Sequence, residues 1–439
     1  MKRPTLLFLA LAWAGSACAA DLLQVYRDAL GYDAQYAAAR AARAAGLEKL
    51  PQGKAALLPT IGLAANTTWN DVSATTRTSP AVTRSAEYNS HGWSVSLSQP
   101  VFRWQNWLGY QQAELSAALA ELQFAQAGQD LILRVAQAYF DVLLAQETLA
   151  TAQAQKKAIA EQLELAKKSF EVGTATITDT HEAQARYDLA VATELAAEND
   201  LAVKRQALRT LTGKEPETLK GLKPSVQIGR PQPEDMTRWI ESAESGNLAV
   251  QQARTGLELA QREAEKQRAG HYPTLDLVAT HGRSYSGGNL TTGVGSDGKS
   301  TTLGLQFSLP LYAGGAISAK EREAVALQEK ARAELDHARR QAQLAARQAW
   351  LGVHAGLAQV KALEAGVASS ELAVQSNKLG YEVGVRINID VLNAQSQLFD
   401  TKQKLAKARL ETLLAQLRLK QAAGSLSEDD LAAINALLE

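Results

Sequence analysis

Two short runs, FEVGTATITD at 170 to 179 and YEVGVRINID at 381 to 390, share Glu171/Glu382, Val172/Val383, Gly173/Gly384 and Asp179/Asp390. A carboxylate a few residues past a glycine turn can cap the helix that follows, by accepting its unpaired backbone N–H groups. It can also take charge-assisted hydrogen bonds from an arginine. Neither job is catalysis. The six histidines are dispersed, no HExxH, GxSxG or phosphate-cradling glycine loop occurs, and the single cysteine is Cys18. Hydrolysis, phosphoryl transfer and thiol chemistry therefore lack residues to perform them, and no catalytic residue, cofactor or metal site is expected.

The elements that would hold these turns are long. Gln105 to Glu171 and Ala316 to Glu382 contain no proline and are rich in Ala, Leu, Gln, Glu and Lys. Apolar residues recur at three- and four-residue steps, as in Leu115, Leu119, Leu122 and Phe124, or Leu357, Val360, Leu363 and Val367, the periodicity of an amphipathic helix. At ~1.5 Å per residue, each such helix would run about 100 Å if straight, well beyond a globular domain. Frequent Ala at the apolar positions favours close helix approach, although periodicity alone also fits a soluble coiled coil.

The shared turns belong to a tandem duplication with an offset of about 211 residues. Ala183-Gln184 falls on Ala394-Gln395, Gly213 on Gly424, and Pro100-Val101-Phe102 on Pro310-Leu311-Tyr312. The expected organisation is a signal peptide at 1–19 (cleavage after 19 or 20), repeat 1 at 20–213, a linker at 214–233, repeat 2 at 234–424 and a helical tail at 425–439. Repeat 1 reads as a helix at 21–54, strands at 59–70 and 91–102, the long helix 105–171 and a shorter helix 180–210. Repeat 2 opens with a helix and continues with strands at 273–283 and 301–312, the long helix 316–382 and a shorter one at 390–422. Lys2 and Arg3, the apolar LLFLALAWA and Ala17-Cys18-Ala19 carry the export signal. A lipidated Cys18 is the rival, against which stands Gly15 where a large aliphatic residue is usual.

The strands alternate strongly, except the third. Ile61, Leu63, Ala65, Thr67 and Trp69 share one face, as do Trp93, Val95 and Leu97, and Leu303, Leu305, Phe307 and Leu309; the opposite face is Ser, Thr, Gly and Gln. A soluble half-buried sheet also alternates. However, strands of about 10 to 13 residues suit a tilted outer-membrane crossing, and Trp69, Tyr88, Trp93, Trp104, Trp107, Tyr285 and Tyr312 lie near strand ends as an aromatic girdle would. After residue 20 no apolar run is long enough for a membrane-spanning helix, so any crossing is by β-barrel. Four strands cannot close a barrel, so the chain must pool strands with copies of itself. Lys+Arg and Asp+Glu both number 46, so bulk charge gives no footprint for nucleic acid.

The export signal, the duplicated half, the strands ending SQPVF and SLPLY, the two turns and the ending GSLSEDDLAAINALL together resemble the TolC type of outer-membrane efflux and secretion channel. The resemblance implies an α+β membrane protein: a trimeric 12-stranded outer-membrane β-barrel, four strands per chain, continued by a long periplasmic α-helical barrel. It implies a passive exit duct of a tripartite efflux pump or type I secretion system in a Gram-negative bacterium. The partners it implies are two further copies of the chain, outer-membrane lipid, a periplasmic adaptor and an inner-membrane transporter of RND, ABC or MFS type. It also implies a gate at the helix turns, with Tyr381 and Arg386 bonding Asp179 and Thr178 within or between protomers and Asp390 forming a lumenal carboxylate ring. Asn393 stands where the family pattern has a second aspartate, so weaker block by multivalent cations is expected. The alternative reading is a structural or binding protein, either a trimeric coiled-coil adhesin or a periplasmic adaptor.

Overall fold

The computed structural model describes residues 20–174, 176–214, 218–223, 226–290 and 293–439. The expected signal peptide, Cys18 included, lies outside the described residues, as does part of the linker. The chain forms two compact units, one from residues 41–124 and 250–338, the other from the described parts of 1–40, 125–249 and 339–439.

The unit made from 41–124 and 250–338 carries the strands: β1 (Thr60–Thr75), β2 (Thr83–Phe102), β3 (Thr274–Ser286) and β4 (Ser296–Ser308). They form one antiparallel sheet in the order β1-β2-β3-β4, so β1 and β4 are its two edges. The register places Leu63 opposite Val95, Ala65 opposite Trp93, and Leu277 opposite Leu305. Directly paired residues share a face, so the apolar stripe is continuous across all four strands. That face is open: Ile61 is 70% exposed, Leu63 74%, Leu303 75% and Leu305 67%. The opposite face carries Ser94, Ser96, Thr280, Gly282, Thr302 and Gly304.

Several girdle expectations change here. Tyr88 pairs with Asn70 and therefore sits on the polar face, while Trp104 and Trp107 open a helix and Tyr312 follows the end of β4. β2 starts at Thr83 and β4 at Ser296, both earlier than the alternation suggests, because ladder pairing continues where both faces are polar. The ladder ends at Ser308, opposite Thr274 where β3 begins, so Leu309 to Tyr312, although apolar, lie beyond it. At the helical end of the sheet, Arg103 donates from Nε and Nη2 to Asp276 at 2.8 and 2.5 Å. Asp276 is only 5% exposed, so this bidentate pair ties the end of β2 to the start of β3.

The sequence read as one helix at 21–54 forms α1 (Leu22–Tyr32) in the other unit, then α2 (Ala34–Leu47), which crosses into the strand-bearing unit, and α3 (Lys49–Ala55) within the latter. The break at Asp33 is built by its own side chain. Oδ1 accepts from the Tyr36 backbone N at 2.6 Å, capping α2, while both carboxylate oxygens accept from Arg134 at 2.8 and 3.0 Å. Asp33 is 5% exposed, and the Arg134 hydrogen bonds hold its carboxyl below the usual range despite burial. Arg134 lies on α4 (Trp104–Glu171); α5 (Ile177–Thr212) follows it. Repeat 2 supplies α6 (Met236–Gly246), α7 (Leu248–Arg268), α8 (Ala316–Glu382) and α9 (Asn388–Ala422), and α10 (Glu428–Asn435) ends the chain. A core of Leu22, Val25, Leu131, Val135, Tyr139, Leu208, Leu413, Leu417 and Leu431 joins α1, α4, α5, α9 and α10.

The duplication is visible in the backbone. Gly173 and Gly384 have φ of 77° and 79°, and Gly213 and Gly424 have φ of 71° and 76°. Each pair ends a helix in the left-handed conformation that glycine adopts without Cβ strain.

Candidate functional site

The site assembles where the long helices of the two repeats reverse. After α4, the Thr174 N–H donates to Ser169 O at 2.8 Å; after α8, the Val385 and Arg386 N–H groups both donate to Gly380 O at 2.9 and 3.0 Å. A cluster of Ile159, Leu163, Ala166, Ala183 and Ala190 packs around Leu392, so a leucine of repeat 2 is seated among helices of repeat 1.

The two equivalent aspartates do different work. Thr176 caps α5 in a capping box: Asp179 Oδ2 accepts from Thr176 N at 2.9 Å and from Thr176 Oγ1 at 2.8 Å, and Asp179 N donates to Thr176 Oγ1 at 3.3 Å. In repeat 2 the cap position is Ile387, which has no side-chain oxygen and makes no cap bond. Asp390 is thereby released from capping and lies 3.6 Å from Arg386 Nη1 one turn back, an exposed pair of small energetic weight. Arg386 folds back over Gly380, where an added Cβ would stand 2.7 Å from Arg386 Cγ.

Among the described residues, neither Tyr381 nor Arg386 hydrogen-bonds Thr178 or Asp179 within one chain. The link that does cross the repeats there is one the motif does not display. Arg186 Nη2 donates to Asn393 Oδ1 at 3.0 Å, and the same arginine lies 3.9 Å from Glu182. Two further residues escaped sequence reasoning, Asn388 and Gln395: they are 4% and 3% exposed, yet each has a side-chain oxygen without a hydrogen-bond partner, as does Thr180 nearby in repeat 1. Nothing in their local pattern distinguishes them from ordinary helix-surface amides.

Ties within and between repeats differ in kind. Inside repeat 1, Lys156 pairs with Glu194 and Lys204 with Asp141; inside repeat 2, Lys402 pairs with Glu371 at 2.8 Å and Arg409 with Glu364 at 2.7 Å. Between the pair α4/α5 and the helix α9, four side-chain bonds each involve a neutral partner: Arg186 to Asn393, Gln403 to Thr148 at 3.3 Å, Arg418 to Gln137 at 3.2 Å and Gln421 to Asp130 at 2.8 Å; the charged tie between repeats, Arg103 to Asp276, lies at the sheet. Each helix pair is therefore internally clamped by charge, while the seam between pairs is held by weaker bonds.

Comparison with known proteins accords with this architecture. The sequence profile described as outer membrane efflux protein matches residues 25–214 and 239–425. The chain is 33% identical to outer membrane protein TolC of Escherichia coli over 445 residues, covering 99% of this chain and 88% of that protein. It is 34% identical over 424 residues to the alkaline protease secretion protein AprF of Pseudomonas aeruginosa, covering 96% and 88%. In fold it is similar to the outer membrane protein VceC of Vibrio cholerae, with a TM-score of 0.77, 20% identity, and coverage of 92% of this chain and 96% of that one. With the profile spanning both repeats and the relatives spanning nearly the whole sequence, the chain belongs to the outer membrane efflux protein family, a family of channels and not of enzymes.

Proposed function

We propose that the chain is one protomer of a trimeric exit duct. Twelve pooled strands would close a barrel in the outer membrane, and the helices would continue it into the periplasm to meet an adaptor and an inner-membrane transporter. The observation that carries this reading is the sheet itself. β1 and β4 are unpaired edges, and the apolar face between them is open. Lipid tolerates neither open edges nor unpaired backbone groups, and an apolar face of this size in water invites aggregation, so closure with further copies resolves both problems. Leu189, Leu195, Leu372 and Leu379, each more than 60% exposed on α5 and α8, offer further surface for neighbours. Family membership sets aside the adhesin and adaptor alternatives.

The turns serve as the gate. The weak seam between repeats is the surface along which helix pairs slide, and Asp390, relieved of capping, forms a ring of three carboxylates in the lumen. Between protomers, Tyr381 and Arg386 would reach the neighbour's Asp179 and Thr178. Whether the cargo is a drug or a protein is set by the inner-membrane transporter, since the duct is passive. The test is conductance in planar bilayers, together with the mass of the detergent-extracted assembly. A trimer that conducts, blocked by a trivalent cation from the helical side and released from block by Asp390→Ala, is the expected result. A water-soluble monomer without conductance overturns the duct; block unchanged in Asp390→Ala overturns the ring.

A further inference from the structure

On its apolar face, the sheet carries a compact charged and aromatic cluster near the β3–β4 hairpin. The register puts His91 opposite Tyr285, Trp93 opposite Arg283, Arg283 opposite Lys299, and Tyr285 opposite Asp297. All of these residues therefore share the face that carries Leu63, Leu303 and Phe307. Rings touch across the strands: His91 and Tyr285 lie 4.7 Å apart and Trp93 and His281 5.7 Å.

Two cations directly opposite on neighbouring strands repel each other. Here both feel the Asp297 carboxylate, but only one is paired with it directly. Arg283 donates to Asp297, from Nε at 2.8 Å and again from Nη2, whereas Lys299 makes no ion pair among the described residues. The cluster carries a net positive charge on a surface that otherwise reads as lipid-facing. Its depth explains why this is tolerated. Phe307 to Lys299 on β4 spans about 27 Å along the strand at ~3.4 Å per residue, or about 21 Å of height at the usual tilt. That approaches the full apolar band of an outer-membrane barrel, so Lys299 and Arg283 stand at the headgroup level of the leaflet farther from the helices.

We propose that Arg283 and Lys299, framed by Trp93 and Tyr285, form a binding site for the phosphate groups of an anionic glycolipid in the outer leaflet. The inference rests on the duct reading, which fixes the orientation of the barrel. Arg283 uses two of its N–H donors on Asp297 and keeps the others for a phosphate oxygen; Lys299 supplies the point charge beside it. Aromatic side chains with polar edges pack along acyl chains below the headgroup and hydrogen-bond above it.

The test titrates the purified full-length assembly in detergent with diphosphoryl lipid A, its dephosphorylated form, phosphatidylglycerol and inorganic phosphate, with bound lipid read by native mass spectrometry. Diphosphoryl lipid A should bind, and the Arg283→Gln/Lys299→Gln double variant should bind it about tenfold more weakly. Lys330→Gln, on an exposed helix, should leave binding unchanged, and millimolar inorganic phosphate should not compete. Equal binding by the double variant, equal binding of the dephosphorylated lipid, or equally tight phosphatidylglycerol each overturns the site. Conductance of the same preparations separates the two ideas: a conducting double variant with undiminished lipid A binding refutes the headgroup site alone, whereas a wild-type assembly that never inserts refutes the duct.

Discussion

Replacing Asn393 with aspartate should hold the helix turns together more tightly. In the structure Asn393 Oδ1 accepts one hydrogen bond from Arg186 Nη2 at 3.0 Å across the repeats, and the Arg186 side chain is 32% exposed. Asn393→Asp keeps the shape and turns a half-neutral bond into an ion pair. Measured values for partly exposed pairs, reduced here because Glu182 already lies 3.9 Å from the same guanidinium, give a gain of about 0.2–0.5 kcal/mol per chain. Three symmetric copies amount to about 0.6–1.5 kcal/mol, which lowers the open-to-closed ratio by roughly 3- to 13-fold. Single-channel recording reads this as open probability at fixed voltage. An extra carboxylate also strengthens cation block, so the comparison is made without multivalent ions and repeated in an Arg186→Gln background, where the gating effect should vanish. Unchanged open probability, or an effect of the same size without Arg186, would refute the seam as a latch.

Two further outcomes concern stability. Asp33→Asn leaves Arg134 without its carboxylate and should lower stability at pH 7 by about 2–3 kcal/mol. Because the folded-state carboxyl is held below its ordinary value, its contribution is complete above the unfolded pKa and is lost as pH falls through the folded one; thermal melts of the two proteins should therefore converge in strong acid, and a constant gap down to pH 2 would refute the ion-pair account. Gly173→Ala and Gly424→Ala both place a side chain at positive φ, but only at Gly424 would the new Cβ meet backbone, 2.0 Å from Gly246 O. The first should cost about 1 kcal/mol and still assemble, while the second should fail to accumulate as a folded assembly; similar yields from both would contradict the close approach.

The long helices were legible because their signal is local and repeated: no proline, helix-favouring residues and a steady three-to-four spacing. The repeat was legible because Gly173/Gly384 and Gly213/Gly424 must stay glycine at positive φ. Strand ends were less so. Alternation reports the apolar face and fades where Thr83 to Asn89 and Ser296 to Ser300 are polar on both faces, although the hydrogen-bond ladder continues. The break at Asp33 was hidden because the helical period runs through it, and only Arg134, distant in sequence, shows why the carboxylate sits there. Arg186 was invisible for the same reason: an arginine within a helix gives no sign of a partner in the other repeat. For the aspartates at 179 and 390 the motif left capping and cross-repeat bonding both open, and the residue three before each decides which of them caps.

The exchange of Thr176 for Ile387 means that the two halves of this gene product are no longer interchangeable. A chain stitched from two first halves would have both aspartates committed to holding helix starts, their oxygens already engaged at the turn. A chain of two second halves would have no capping box at either reversal. One aspartate staples a helix start, while its counterpart in the other repeat is left with only the weak pair to Arg386.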